Sequence, residues 1–247
     1  MNLKLLQWNI WESKALDQIT SFIKELDPDV LCLQELRGVG SPNPQIDLKE
    51  QIESTSGMAS YCEIAQTRNN QGAVTSQGNG IFSKYPIIKK TCVFLQESRT
   101  NPIDASDEGR TYLEAAINAN GNQVTIATTH LSYTNRFVTT KKKKAEINNL
   151  LNIVKEKNAN YILAGDFNLR PYSWSIKQIS RYLKHCGPDL RENTWTVIPF
   201  NYQGFIETEL KWRLDYVFAS KNIIVSSARI IKTSLSDHLP ILVEFSI

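Results

Sequence analysis

The sequence is short of the features that mark secreted, membrane-spanning or metal-stapled chains. Its 247 residues include only four cysteines, Cys32, Cys62, Cys92 and Cys186. None forms a C-x-x-C pair, which excludes a zinc ribbon and a thioredoxin-type motif. Four scattered thiols in a chain this long make no disulfide framework. Cys32, inside the apolar run Val30-Leu31-Cys32-Leu33, reads as a buried structural thiol. No apolar stretch approaches the ~20 residues needed to cross a bilayer. The first residues lack a signal-peptide apolar core, and no N-x-S/T sequon occurs. The expectation is a cytoplasmic protein with no transmembrane segment. No linker rich in glycine, proline or serine divides the chain, and no short-period repeat is present. One domain over 1–247 and a monomer are expected. Excess charge is also small: a net +3 suits an anionic substrate without requiring nucleic acid.

What is present is an ordinary globular composition, 41% hydrophobic and 21% charged, on a chain long enough to bury a substantial core. Residues 3–10 read as a strand. Ser13 can cap a helix whose apolar positions are Leu16, Ile19, Phe22, Ile23 and Leu26, stopped by Asp27-Pro28. Residues 29–34 form a buried strand, completing a strand–helix–strand unit suited to a right-handed crossover. A turn-rich break at 38–44 and a helix end within 50–60 follow. Short strands are predicted at 61–65, 80–82 and 87–94, then an exposed polar loop at 98–109. Residues 112–117 and 123–129 flank Asn120-Gly121, a strong hairpin signal. Within 137–157, Ile147, Leu150, Leu151 and Val154 share one helical face. Residues 161–164 read as a buried strand, 174–185 as a helix, and 214–219, 223–231 and 241–245 as strands. Strands outnumber helices and several are hairpin-linked, which predicts sheet-on-sheet packing with helices outside.

Five apolar runs end on polar groups: Trp8-Asn9, Leu33-Gln34-Glu35, Thr129-His130, Gly165-Asp166-Phe167-Asn168 and Ser236-Asp237-His238. Strand ends let a rigid scaffold present groups to one shared site. Glu35 is a hard oxygen ligand suited to Mg²⁺, although taken alone it reads more readily as a solvated loop glutamate. Asp166 and Asn168 are two apart, so on an extended chain they face one side, with Gly165 allowing a tight turn before them. The carboxylate can orient or deprotonate a water, and the amide can donate to a phosphate oxygen. An Asx-turn would account for either residue singly. Of the three histidines, His185 has no chemical neighbour and reads as structural. Asp215, in the apolar segment 212–218, needs a partner to offset burial. His238 can supply it, with the aspartate fixing the imidazole tautomer.

Taken in order, seven segments resemble the endonuclease/exonuclease/phosphatase superfamily. They are Trp8-Asn9-Ile10, Leu33-Gln34-Glu35, Gly80-Ile81-Phe82-Ser83-Lys84-Tyr85-Pro86, Thr129-His130-Leu131, Gly165-Asp166-Phe167-Asn168, Arg213-Leu214-Asp215-Tyr216 and Ser236-Asp237-His238-Leu239-Pro240-Ile241. The resemblance implies an α/β (α+β) fold, a four-layer αββα sandwich of two mixed, mostly antiparallel sheets packed face to face with helices outside. It implies Mg²⁺ or Mn²⁺ at Glu35, with Asn9 and Asp237 in or near the metal shell. It implies that Asp166 activates the attacking water, that Asn168 and His130 bind the scissile phosphate, and that His238 with Asp215 stabilises the transition state. The implied activity is metal-dependent phosphodiester hydrolysis, largely by electrostatic stabilisation.

The branch is open on these residues. Abasic-site endonucleases of the exonuclease III type generally lack a histidine where this chain has His130, and commonly carry an acid where it has Trp11. Thr129-His130-Leu131 is more similar to the phosphodiesterase, sphingomyelinase, deadenylase and tyrosyl-DNA phosphodiesterase branches, whereas residues 212–216 are similar to the abasic-site enzymes. A DNA-repair nuclease and a catalytically inactive binding module are the alternatives, the latter disfavoured by the intact acid and histidine set. Trp11, Tyr133, Trp174 and Trp195, with Arg170, are candidate substrate contacts, the aromatics for stacking and the arginine for phosphate. The run Lys141–Lys144 reads as a solvated helix face. A polyanion is its other reading, since cations at a helix N-terminus are electrostatically poor.

Overall fold

The computed structural model describes residues 2–11, 15–38, 48–70, 73–99 and 102–246, and the side chains of 48, 70 and 73 are set aside. Fourteen strands and four α-helices are formed among them. The strands are β1 (Asn2–Asn9), β2 (Val30–Arg37), β3 (Ala59–Asn70), β4 (Ala73–Ser83), β5 (Ile87–Gln96), β6 (Arg110–Ala119), β7 (Asn122–His130), β8 (Tyr161–Asp166), β9 (Lys184–His185), β10 (Phe200–Tyr202), β11 (Phe205–Glu207), β12 (Asp215–Ala219), β13 (Ile224–Ile230) and β14 (Ile241–Ser246). The helices are α1 (Leu16–Leu26), α2 (Leu48–Ser56), α3 (Lys141–Val154) and α4 (Trp174–Ile179). None of these helices is long and apolar enough to cross a membrane.

Two six-stranded sheets, ordered β13-β14-β1-β2-β4-β3 and β5-β6-β7-β8-β12-β9, form the body. Each has one parallel pair, β1–β2 or β7–β8, and is otherwise antiparallel. The parallel pairs are the two places where a helix, α1 or α3, carries the chain back along the sheet, as parallel pairing requires.

Alternation in the strands sorts the core into layers. Leu3, Leu5, Val30, Cys32 and Ile81 of one sheet pack against Leu113, Ile126, Ile162, Ala164 and Val217 of the other. Leu6, Trp8, Leu31 and Leu33 turn outward onto Ile19 and Ile23 of α1 and Ile52 of α2. On the far side Tyr161, Leu163 and Phe218 meet Ile147, Leu150 and Val154 of α3 and Ile176 and Ile179 of α4. This is the expected αββα sandwich.

The Asn120-Gly121 turn adopts φ of 53° and 88°, the doubly positive geometry of a type I′ hairpin. Asp27, with φ 46°, closes α1 in the left-handed region. Ser13 lies outside the described residues, as does most of the 38–44 break. Three local expectations are corrected. Residues 174–185 are helical only through Ile179, then bend into the short strand β9. The 98–109 loop is not exposed throughout: Glu108 is only 3% exposed, drawn in by ion pairs with Arg68 and Arg110. Lys143, inside the lysine run, is 1% exposed, because its ammonium donates to Ser132 O beside Glu146. Burial brings that ammonium down to about 8, despite the attraction of Glu146.

Candidate active site

Strand register brings the polar ends together. His130 pairs with Asp166 across the parallel β7–β8 edge, and Asp166 pairs with Asp215 across the antiparallel β8–β12 edge. Three strands of one sheet therefore deliver three of the expected residues in a row. β1 ends at Asn9 in the facing sheet. Glu35, expected at a strand end, instead lies inside β2 at a bulge between Leu33 and Leu36, with φ 58°. A bulge inserts one residue and re-aims its side chain, and Glu35 consequently meets Asn9 rather than following the pleat. Asp237 and His238 lie just before β14. Their loop is tied to β1 by Ser236 Oγ donating to Asn9 O at 2.8 Å and Trp8 Nε1 donating to His238 O at 2.9 Å.

Gly165 makes no turn. It is an interior residue of β8, and a Cβ there would lie 2.1 Å from Thr129 O on the neighbouring strand. Its role is close approach of β7 and β8, the contact that fixes His130 beside Asp166. The turn comes later, at Asn168, with φ 47° and its backbone N–H donating to Asp166 Oδ1 at 2.8 Å.

Asp166 Oδ2 is the centre of the cluster. Asn9 Nδ2 donates to it at 3.1 Å and to Glu35 Oε1 at 3.0 Å. His130 Nε2 lies 3.4 Å from it and His238 Nε2 3.6 Å. His238 Nδ1 donates to Asp215 Oδ2 at 2.8 Å, the dyad expected from the sequence. Asn168 Nδ2 donates to Leu131 O at 2.9 Å and is 3.2 Å from His130 Nε2. Behind these groups, Gln7 and Gln34, both 0% exposed, exchange amide hydrogen bonds. Gln34 also donates to Thr128 Oγ1 at 2.9 Å and Gln7 to Asp215 Oδ1 at 3.4 Å. This amide chain crosses from one sheet to the other.

The electrostatics separate the two imidazoles. Burial pushes His238 down, but Asp215, Asp166 and Asp237 outweigh it and raise it well above the usual histidine range. Burial pushes His130 well below that range, with the cations Arg110, His238 and Lys143 acting the same way. Asp166 is raised to about 6, chiefly by burial and further by Asp215, against the pull of His238.

A cavity of about 270 Å³ opens over the cluster. Glu35, His130, Asp166, Asn168, Asp237 and His238 line it, as do Trp11, Tyr133 and Trp195. The other two expected substrate contacts are not among its lining residues: Trp174 is partly covered by Lys144, whose Nζ sits 5.4 Å from the ring centroid, and Arg170 is exposed outside it. Tyr133, Phe137, Trp195 and Phe200 form the cavity's apolar wall, backed by Phe205, Leu214 and Trp212 of the same cluster. The short β10–β11 hairpin that supplies Phe200 and Phe205 was not anticipated: strands of three residues leave too little periodicity to read. Arg68, Glu108 and Arg110 also line the cavity and were missed. An arginine at the first position of a strand carries no local signal that separates it from a surface cation.

Asp166, Asp215 and His238 offer ligand atoms within 4.8 Å of one another. Two of these residues, Asp215 and His238, are hydrogen-bonded to each other. Glu35 and Asp237 offer hard carboxylate oxygens to the same cavity, a donor type that fits Mg²⁺ or Mn²⁺. Asn9 stands beside them with its N–H groups on Glu35 and Asp166 and its Oδ1 accepting from Trp11 N at 3.1 Å.

The sequence profile of the Endonuclease/Exonuclease/phosphatase family matches residues 6–238. The chain belongs to that family. Family members hydrolyse phosphoester bonds. Solved structures with a similar fold include an endonuclease/exonuclease/phosphatase from Beutenbergia cavernae DSM 12333, at 21% identity and a TM-score of 0.75, covering 99% of this chain and 71% of that one. D. rerio TDP2 complexed with single strand DNA product has 16% identity and a TM-score of 0.70, over 100% and 99% of the two chains. The human Nocturnin catalytic domain with bound sulfate anion has 22% identity and a TM-score of 0.68, over 99% and 94%. At such identities the likeness establishes the fold. A comparison of the sequence with curated proteins finds no match.

Proposed function

We propose that this chain is a Mg²⁺-dependent phosphodiesterase that hydrolyses its substrate by in-line attack of water. The observation that carries the reading is the placement of Asp166 Oδ2 between two imidazole nitrogens, at 3.4 and 3.6 Å. A carboxylate held there can take a proton while its neighbours stabilise charge on the phosphoryl oxygens. Mg²⁺ or Mn²⁺, held by Glu35 and Asp237 beside Asn9, would supply Lewis-acid polarisation of a phosphoryl oxygen.

The protein's own groups do the rest. Asp166, raised to about 6, is ionised at neutral pH yet basic enough to accept a proton from water, the compromise that general bases require. His238, kept cationic by Asp215, Asp166 and Asp237, opposes the negative charge that builds on phosphorus. His130 presents a donor to a non-bridging oxygen, and Asn168 can turn the longer of its two amide hydrogen bonds, to Asp166 Oδ2 at 3.4 Å, over to the substrate. All are preorganised by register and buried hydrogen bonds, so little reorganisation is needed as charge develops.

For the substrate, single-stranded nucleic acid is favoured over a lipid or a small diester. The half-buried rings of Tyr133, Phe200 and Tyr202 in the cavity lining offer faces on which a base can stack, and the fold is shared with a TDP2 whose structure holds a DNA product. The test is Mg²⁺-dependent turnover of bis-p-nitrophenyl phosphate, 5′-tyrosyl DNA, abasic-site DNA and a lipid phosphodiester, each with wild type and Asp166→Asn. Turnover of a DNA substrate by wild type alone is expected. Incision at abasic sites in preference to 5′-tyrosyl DNA would move the chain to the exonuclease III-like branch. Turnover of none, with Mg²⁺ bound, would leave a binding module.

A further inference from the structure

Arg110 opens β6 and is 3% exposed. Its guanidinium is held on one side by Nη2, which donates to Glu108 Oε2 at 2.8 Å and to Ala105 O at 3.0 Å. Glu108 is itself fixed by Arg68 and by Gln77 Nε2 at 3.2 Å. With that nitrogen anchored, the planar fork points Nη1 at His130 Nδ1, 3.2 Å away.

A guanidinium can donate but not accept. The nitrogen it faces must therefore carry the lone pair, so the proton of a neutral His130 sits on Nε2. That nitrogen looks into the cavity, 3.4 Å from Asp166 Oδ2 and 3.9 Å from Glu35 Oε1. Both are acceptors, so both ends of the ring agree. The amide of Asn168 lies 3.2 Å from the same nitrogen, but its two protons have acceptors elsewhere, Leu131 O at 2.9 Å and Asp166 Oδ2 at 3.4 Å. His238 is set the opposite way, its Nδ1–H given to Asp215 at 2.8 Å.

We propose that Arg110 is a positioning residue that locks His130 in the Nε2–H tautomer, so that this imidazole meets a phosphoryl oxygen as a fixed donor. The assignment goes beyond the roles given above, while its kinetic consequence rests on the proposed hydrolysis. Without Arg110 the ring is free to place its lone pair toward the substrate, replacing a hydrogen bond to a phosphoryl oxygen with repulsion. Groups that orient a reacting side chain in this way are worth roughly 10–100-fold in activity.

Three measurements test it. In protein labelled with ¹⁵N-histidine, three imidazoles contribute, and the His130 signals are identified by their loss in His130→Ala. His130 is expected to show a protonated Nε2 and an unprotonated Nδ1. A protonated Nδ1 overturns the proposal, whether or not any substrate is turned over, so this result is independent of the hydrolytic reading. In kinetics, Arg110→Met is expected to lower kcat about 10–100-fold, and Arg110→Lys, which keeps a donor-only group, to restore most of it. In the His130→Ala background, Arg110→Met should cost less than about twofold, the non-additivity of residues that act together. An undiminished loss in that background would mean that Arg110 acts on the substrate directly. Should Arg110→Met fail to fold, the wild-type spectrum and the Arg110→Lys variant still decide.

Discussion

Trp195 Nε1 donates to Asp237 Oδ2 at 2.9 Å, joining the aromatic wall to a carboxylate proposed to hold the metal. The indole is 3% exposed and packs edge-on against Phe137 and Phe200, with centroids 5.2 and 4.9 Å away. Packing thus fixes the ring, and the ring fixes Asp237. Trp195→Phe keeps most of the packing and removes the N–H. We predict that it weakens Mg²⁺ binding about 10–100-fold, as loss of an outer-shell hydrogen bond does, with the fold retained. Calorimetric titration with Mg²⁺ checks this; unchanged affinity would remove Trp195 from the metal site.

Asp166→Asn should separate stability from activity. Burial raises the Asp166 carboxyl to about 6 from 3.8, so the folded protein binds its proton more tightly than the unfolded chain. Stability is then lost as pH rises from about 4 to 6, and the cost is fully present above that. In metal-free protein at pH 7.5, the neutral asparagine should raise stability by on the order of 1–3 kcal/mol. The same variant should lose at least about 100-fold in turnover, the scale of general-base catalysis. Thermal melts with chelator, repeated at pH 5 and pH 7.5, read the first effect. A variant less stable than wild type at pH 7.5 would contradict it.

Asp215→Asn addresses the dyad. His238 is lowered by burial, but Asp215 is the first of three carboxylates that more than reverse this. A histidine raised in the folded state contributes stability that is complete below its unfolded value and is lost as pH rises through its folded one. Removing Asp215 should bring the alkaline limb of the pH–kcat profile toward neutrality and lower kcat about 10–100-fold. A limb that stays in place would mean that another group sets it.

Phe137 anchors the aromatic cluster, 1% exposed and in ring contact with Tyr133, Trp195, Phe205 and Trp212. Phe137→Ala should cost about 3–5 kcal/mol, the usual range for emptying a buried aromatic position. Urea unfolding measures it. A loss below about 1 kcal/mol would mean that the cluster closes over the gap, as sites that collapse well do.

Much of this is legible in the sequence because it rests on local pattern. Rough alternation locates β1, contiguous apolar runs locate β2, β8 and β12, and Asn120-Gly121 locates the β6–β7 hairpin. The polar residues closing those runs were found because they break an otherwise apolar pattern. What escaped depends on three-dimensional partners. Glu35 was expected at a strand end, and only pairing with β4 reveals the bulge that turns it. Gly165 reads in the sequence as a turn residue, but its lack of a side chain serves a neighbouring strand 36 positions away in sequence (Thr129 to Gly165). In the sequence Lys143 reads like its exposed neighbours, since nothing in a run of four lysines marks the one whose ammonium finds Ser132 O. Arg110, Glu108 and Arg68 form a network between segments no periodicity connects.

The amide chain through Gln7 and Gln34 bears on how the molecule comes apart. Two apolar sheet faces can shear past one another at little directional cost, but a run of dry side-chain hydrogen bonds permits one alignment only. Gln34 reaches Thr128 and Gln7 reaches Asp215 in the opposing sheet, so sliding the sheets out of alignment at this end would leave several buried polar groups unpaired at once, each costing about 1–3 kcal/mol. The reactive end is therefore latched, and its strand amides should exchange with solvent only through global opening. Local breathing would be confined to the loops that roof the cavity, which is where a substrate has to enter.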